Sequence, residues 1–80
     1  MPTVYLTLED KIDQRLSAYV YGELKTRRIP QGTLAKEMGI SQPALSQKLR
    51  KKKFSFDDFV RIIHFFKPDE KELNRLVGMD

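Results

Sequence analysis

Gln42 and Gln47 are the residues of this chain best suited to selective recognition. A glutamine amide offers a donor and an acceptor side by side, so it can bond N6 and N7 of adenine together in a DNA major groove. Pro43 and Ala44 stand between them, and either could meet a thymine methyl. The basic run Arg50-Lys51-Lys52-Lys53 follows at once. Cations of this kind contact phosphate oxygens, which set affinity and register rather than sequence choice. Ser41, Ser46 and Lys48 lie around the same segment and are assigned, with Arg50, Lys51, Lys52 and Lys53, to phosphate.

Charge supports a polyanionic partner. The formal net charge is +4, but residues 25–53 hold nine Lys and Arg against Glu37 alone, a local excess of +8. The segments on either side are each net −2. A compact domain gains nothing in stability by crowding like charges into one stretch, whereas a nucleic acid backbone rewards it. Basic patches also occur as plain solvated faces; coincidence with the two glutamines favours the nucleic acid reading.

Other chemistries find little support. There is no cysteine, so there is no thiolate metal site, disulfide or cysteine nucleophile, a composition compatible with a reducing cytoplasm. His64 is the only histidine, has no partner set for a metal, and is expected at the surface or an interface. No glycine-rich phosphate loop or nucleophile–base constellation is visible, so an enzyme is not expected, and no cofactor or small-molecule ligand is implied. Most aromatics fall on core stripes, which argues against the stacking surfaces of single-stranded RNA readers. No apolar run approaches the roughly 18 residues of a membrane helix, and the first ten residues lack signal-peptide character. A cytoplasmic protein without membrane contact is expected.

Positioning Gln42 and Gln47 requires a short helix held against a scaffold. Leu34, Met38, Ile40, Leu45 and Leu49 are apolar at spacings that suit two packed helices, and Ala35 is small where their backbones would cross. Gly39 can enter the left-handed region that stops the first helix. Ser41 can cap the second, and Pro43 fits its first turn, where a missing N–H is harmless. Helices are expected over about Gln31–Met38 and Gln42–Arg50, a helix-turn-helix in the physical sense. Gly32 weakens the first of them, and a close approach of the backbone to something, a DNA phosphate being one option, would explain its presence.

Around this pair the chain reads as three more helices. The first runs from a Thr7 cap, boxed with Asp10, to about Arg28, burying Leu8, Ile12, Leu16, Tyr19, Val20 and Leu24. Its last-turn cations complement the helix dipole or touch a phosphate. The fourth starts at Ser55, with Asp57 and Asp58 in its first turn; Phe54, Phe56, Phe59, Val60, Ile62, Ile63 and Phe66 mark it as the centre of the core with no wet face. The fifth starts at Lys67-Pro68-Asp69-Glu70 with Pro68 as its first residue, buries Leu73, Leu76 and Val77, and stops at Gly78. Residues 1–7 form an arm whose TVYLT stretch is a short strand or extended segment, packed on the helices in preference to pairing across a dimer.

The pattern Gln31-x-x-Leu34-Ala35-x-x-Met38-Gly39-Ile40-Ser41-Gln42 resembles the helix-turn-helix of the lambda-repressor-like family, which includes phage repressors, Cro proteins and many small bacterial regulators. The resemblance covers about twenty residues closely and the flanking helices loosely. It departs from the family three positions after Leu45, where Lys48 replaces the usual apolar residue; Leu49 is expected to supply that contact, with Lys48 outward. The resemblance implies a compact all-α, five-helix domain spanning residues 1–80, with base reading at Gln42, Pro43, Ala44 and Gln47. It implies that Gln31 binds phosphate and can brace Gln42. It also implies a dimeric, sequence-specific DNA-binding regulator of repressor or Cro type, without the sensing domain of longer repressors. The competing expectation is a small protein-interaction module, such as an antitoxin or adaptor, with DNA binding secondary.

Overall fold

The helices start and stop where local chemistry compels them. The structure is a computed structural model that describes residues 8–78, with side chains from residue 11 onward; among the described residues there are five helices and no strand. They are α1 (Leu8–Arg27), α2 (Gln31–Met38), α3 (Gln42–Lys51), α4 (Phe56–Phe66) and α5 (Glu70–Val77). The Thr7 cap and the arm at residues 1–7 lie outside the described residues.

Ser55 opens α4 with a reciprocal cap. The Asp58 N–H donates to Ser55 Oγ at 3.1 Å, and the Ser55 N–H donates to Asp58 Oδ2 at 3.0 Å, so two otherwise orphaned amides are satisfied. The start of α5 differs from expectation. Asp69 is its N-cap, accepting the Glu72 N–H at 2.8 Å, and Pro68 stands before the cap rather than at the first helical position. Adjacent proline and aspartate are rival start signals, and the carboxylate that reaches a free amide decides between them.

Gly39 and Gly78 end α2 and α5 in the left-handed region, at φ of 73° and 76°. Arg28, Lys52 and Lys67 adopt the same region without being glycine. That conformation costs an L-residue roughly 1–2 kcal/mol. It leaves a cation at a helix C-terminus, where the dipole favours positive charge.

The core collects Leu16, Val20 and Leu24 from α1, Leu34, Ala35 and Met38 from α2, Leu45 and Leu49 from α3, Phe54 from the connection, Ile62 and Phe66 from α4, and Leu76 from α5. α2 packs on both α3 and α4, while α1 packs on α4 and α5.

α4 is not the fully buried helix its composition suggested. Asp58, Ile62 and Phe66, four residues apart, form its buried line, with Phe59, Ile63 and Phe65 partly covered. Phe56 and Val60 are 78 % and 46 % exposed. A helix with apolar residues on most sides can turn only one stripe toward its neighbours, and here the rest faces water.

Arg27 is also settled internally. It bonds Glu23 Oε1 at 2.8 Å, donates to the Phe66 carbonyl at 3.1 Å and lies over the Phe66 ring at 5.2 Å. The last-turn cation of α1 thereby neutralises the C-terminus of α4. No helix among the described residues is long and apolar enough to cross a membrane.

Candidate nucleic-acid interface

The connection between α2 and α3 is three residues long, and each is fixed by a backbone bond or cap. The Gly39 N–H donates to the Lys36 carbonyl at 3.1 Å and the Ile40 N–H to the Ala35 carbonyl at 3.0 Å. Ser41 Oγ then accepts the Ala44 N–H at 3.2 Å, and Pro43 sits in the first turn of α3. From α4, Arg61 Nη1 donates to the Met38 carbonyl at 3.2 Å, so the end of α2 is also held from outside. A Cβ at Gly39 would meet Arg61 Nη1 at 3.6 Å, an ordinary contact. The constraint at Gly39 is therefore backbone conformation, not space. Gly39→Val is expected to destabilise the fold by about 1–2 kcal/mol, read as a lowered urea midpoint; an unchanged midpoint would contradict this role for the turn.

Three anchors fix the rotation of α3. Leu45 and Leu49 are fully buried, so Leu49 supplies the core contact expected of it. Ser17 Oγ of α1 donates to the Leu49 carbonyl at 2.9 Å across 32 residues of sequence. Lys48 Nζ of α3 meets Asp58 Oδ2 of α4 at 2.8 Å. Lys48 thus departs from the outward cation that the spacing suggested. The same Asp58 oxygen that accepts the Ser55 N–H draws it in, leaving it half-buried and ion-paired. Asp58 is only 7 % exposed. Burial alone would raise its pKa, but the Lys48 ammonium and the Ser55 donors outweigh burial and hold the carboxyl below its ordinary value of 3.8.

With α3 so fixed, Gln42, Pro43 and Gln47 are exposed, as are Ser41, Arg50, Lys51, Lys52 and Lys53. Ala44, Ser46 and Gln31 are half-buried. Arg50 and Lys51 extend α3, Lys52 is its left-handed C-cap and Lys53 lies beyond it. Lys53 also takes part in an intramolecular contact. Gln42 and Gln31 are not hydrogen-bonded to each other. Instead the Gln42 amide oxygen lies 3.5 Å from where a Cβ on Gly32 would stand. The Gln42 side chain therefore lies over Gly32 at an ordinary contact distance, which does not by itself require glycine there.

That spacing leaves room for a methyl group. Gly32→Ala should raise stability by up to about 1 kcal/mol through helix propensity. If a phosphate also approaches this backbone, DNA affinity should fall in the same variant. A parallel urea and DNA titration separates the two effects, and loss of stability would contradict the open geometry at Gly32.

The sequence pattern did not reveal Ser17, Asp58 and Arg61 as the residues that position α3 and its turn. Ser17 had one usable signal, a hydroxyl one residue from the buried Leu16 and three before Val20, where a polar atom must find a partner. Arg61 had none, because its partner is a main-chain carbonyl on another helix; Asp58 had the local signal of its cap with Ser55, but none for its bond to Lys48.

No group of three or more His, Cys, Asp or Glu side chains among the described residues could hold a metal ion. No protein-family model, curated protein or solved structure matches the chain.

Proposed function

We propose that this protein binds double-stranded DNA sequence-selectively as a helix-turn-helix regulator, with α2 lying across the backbone and α3 in the major groove. The observation that carries the proposal is the outward face of α3. Gln42 and Pro43 in the first turn and Gln47 in the middle are exposed on a helix whose last turn carries Arg50 and Lys51, with Lys52 and Lys53 just beyond it. On this reading the glutamines bond adenine edges and Pro43, with half-buried Ala44 beside it, meets thymine methyls. Arg50 to Lys53 lie along phosphates, with Gln31, Ser41 and Ser46 as polar partners on the near strand. Lys48, one-third exposed, has one of its three N–H donors committed to Asp58. A dimer would place two α3 helices in half-sites about 34 Å apart, giving a repressor- or Cro-like protein.

Selection from random duplex DNA at near-physiological salt tests this directly. A palindromic motif is expected. Enrichment of no sequence would overturn selective binding. Gln42→Ala and Gln47→Ala should each weaken the selected site by about 1–3 kcal/mol and relax preference at one base position. Equal loss on random DNA would remove the glutamines from base reading.

A second reading, a protein-interaction module of antitoxin or adaptor type, draws on a different surface. Val60 is exposed on α4 and borders a shallow hollow with His64, Phe65 and Lys67. A stable complex with another protein that survives both glutamine substitutions and fails with Val60→Asp would favour it.

A further inference from the structure

The outer side of α4 carries residues that neither the core nor the proposed DNA face uses. Phe56, Val60, Ile63 and Lys67 follow one another at spacings of four, three and four, so they form one line along the helix and its C-cap. Phe56 and Val60 are exposed, and Ile63 is partly covered. Asp57 and His64, seven residues apart, flank this line on one side, with Asp57 in the first turn of α4 and His64 in the last. We propose that this line is the contact surface for a second copy of the chain, with the two α4 helices packed antiparallel about a twofold axis near Val60.

Charge selects both the partner and the orientation. The outer side of α4 is acidic at its start, at Asp57, and basic toward its end, at Arg61, His64 and Lys67. Arg61 is turned to the Met38 carbonyl, and Glu37 of α2 shares the hollow beside Val60 with Arg61, His64 and Lys67, so that end stays net positive. Asp57 and Lys67 make no ion pair among the described residues. A parallel neighbour would set like charges against each other. An antiparallel copy brings Asp57 of each protomer to the partner's His64 and Lys67, and symmetry makes the match twice. Val60 then faces the partner's Val60 at the axis, and Phe56 lies over the partner's Ile63. A surface that complements itself in both charge and apolar pattern is what an isologous interface requires.

The contact is small. α4 has 11 residues and is about 16 Å long. One helix line of that length covers less than the roughly 800 Å² per partner of a standard stable complex. The free protein is therefore a weak dimer, with a dissociation constant on the order of 100 µM. Two half-sites on one duplex would hold two copies at an effective concentration in the millimolar range, above that value, so the operator completes the dimer. This last step alone rests on the DNA reading; the contact between α4 helices does not.

Sedimentation equilibrium without DNA, from about 10 µM to about 1 mM protein, tests the contact. A reversible monomer–dimer equilibrium is expected. Val60→Asp sets two carboxylates together at the axis and should weaken association by at least about tenfold, with an unchanged urea midpoint at low protein concentration. Asp57→Lys and His64→Glu should each weaken self-association, with folding checked by circular dichroism. An equimolar mixture of these two variants should associate more tightly than either alone, because the introduced lysine and glutamate meet across the interface. A protein that stays monomeric to the highest concentration overturns the proposal, and so does a dimer that is indifferent to Val60→Asp. A mixture no tighter than its components overturns the antiparallel pairing. The DNA reading is judged separately, since a palindromic motif from the selection experiment would stand whichever way the sedimentation falls.

Discussion

Asp58→Ala is expected to destabilise this protein by about 2–3 kcal/mol. The substitution removes one half of the cap that starts α4, a loss of about 1 kcal/mol for a capping side chain. It also strips Lys48 of a partly buried, charge-assisted partner, a hydrogen bond typically contributing about 1.5–3 kcal/mol, discounted here because the lysine is one-third exposed. The pH dependence has a definite sign. The folded-state pKa of Asp58 lies below its ordinary value of 3.8. Its contribution is therefore fully present above that value and is lost as pH falls through the folded pKa. The stability gap between parent and Asp58→Ala should be constant from neutral pH down to roughly 5 and then narrow in more acidic solution. Urea titrations across this range measure it. A gap that widened on acidification would show that the carboxylate is not held by Lys48 and Ser55.

The second large effect concerns affinity rather than folding. Replacing Lys51, Lys52 and Lys53 together by alanine should weaken binding to specific and random DNA alike. Each phosphate contact contributes about 0.9 to the slope of log K against log salt, so three contacts should lower its magnitude by up to about 2.7. Near 0.15 M salt the same relation gives a loss of about a hundredfold. Fluorescence anisotropy at several salt concentrations reads both quantities. An unchanged slope would remove this run from the phosphate backbone. The folded state should hardly notice Lys51, which is exposed at the end of α3, and Lys52 occupies a left-handed position where alanine is no worse than lysine.

The α2–α3 boundaries were readable because their determinants are local. Gly39, Ser41 and Pro43 act on backbone groups within three residues of themselves, so type and order suffice. The Ser55 start of α4 was readable for the same reason. The rotation of α4 was not. Apolar residues surround that helix, and only packing against α1 and α2 selects Ile62 and Phe66 over Phe56 and Val60. Lys48 shows the same limit at the candidate interface. Its spacing places it on the outer side of α3, but a carboxylate ten residues later, on another helix, determines where its ammonium goes. The start of α5 was misplaced by two residues, since proline and aspartate both announce a helix and only the bond to Glu72 distinguishes them.

The anchors of α3 share a property with wider consequences. They use the Leu49 carbonyl, the Lys48 ammonium and two leucines. The side-chain amides of Gln42 and Gln47 make no hydrogen bond to another described residue, although both stand on the same helix. The architecture thus separates what keeps the helix in place from what it displays. On the proposed reading, new side chains at positions 42 and 47 could redirect the protein to another operator while leaving its folding equilibrium nearly untouched. A lineage built on this scaffold could change its address many times without first having to gain stability.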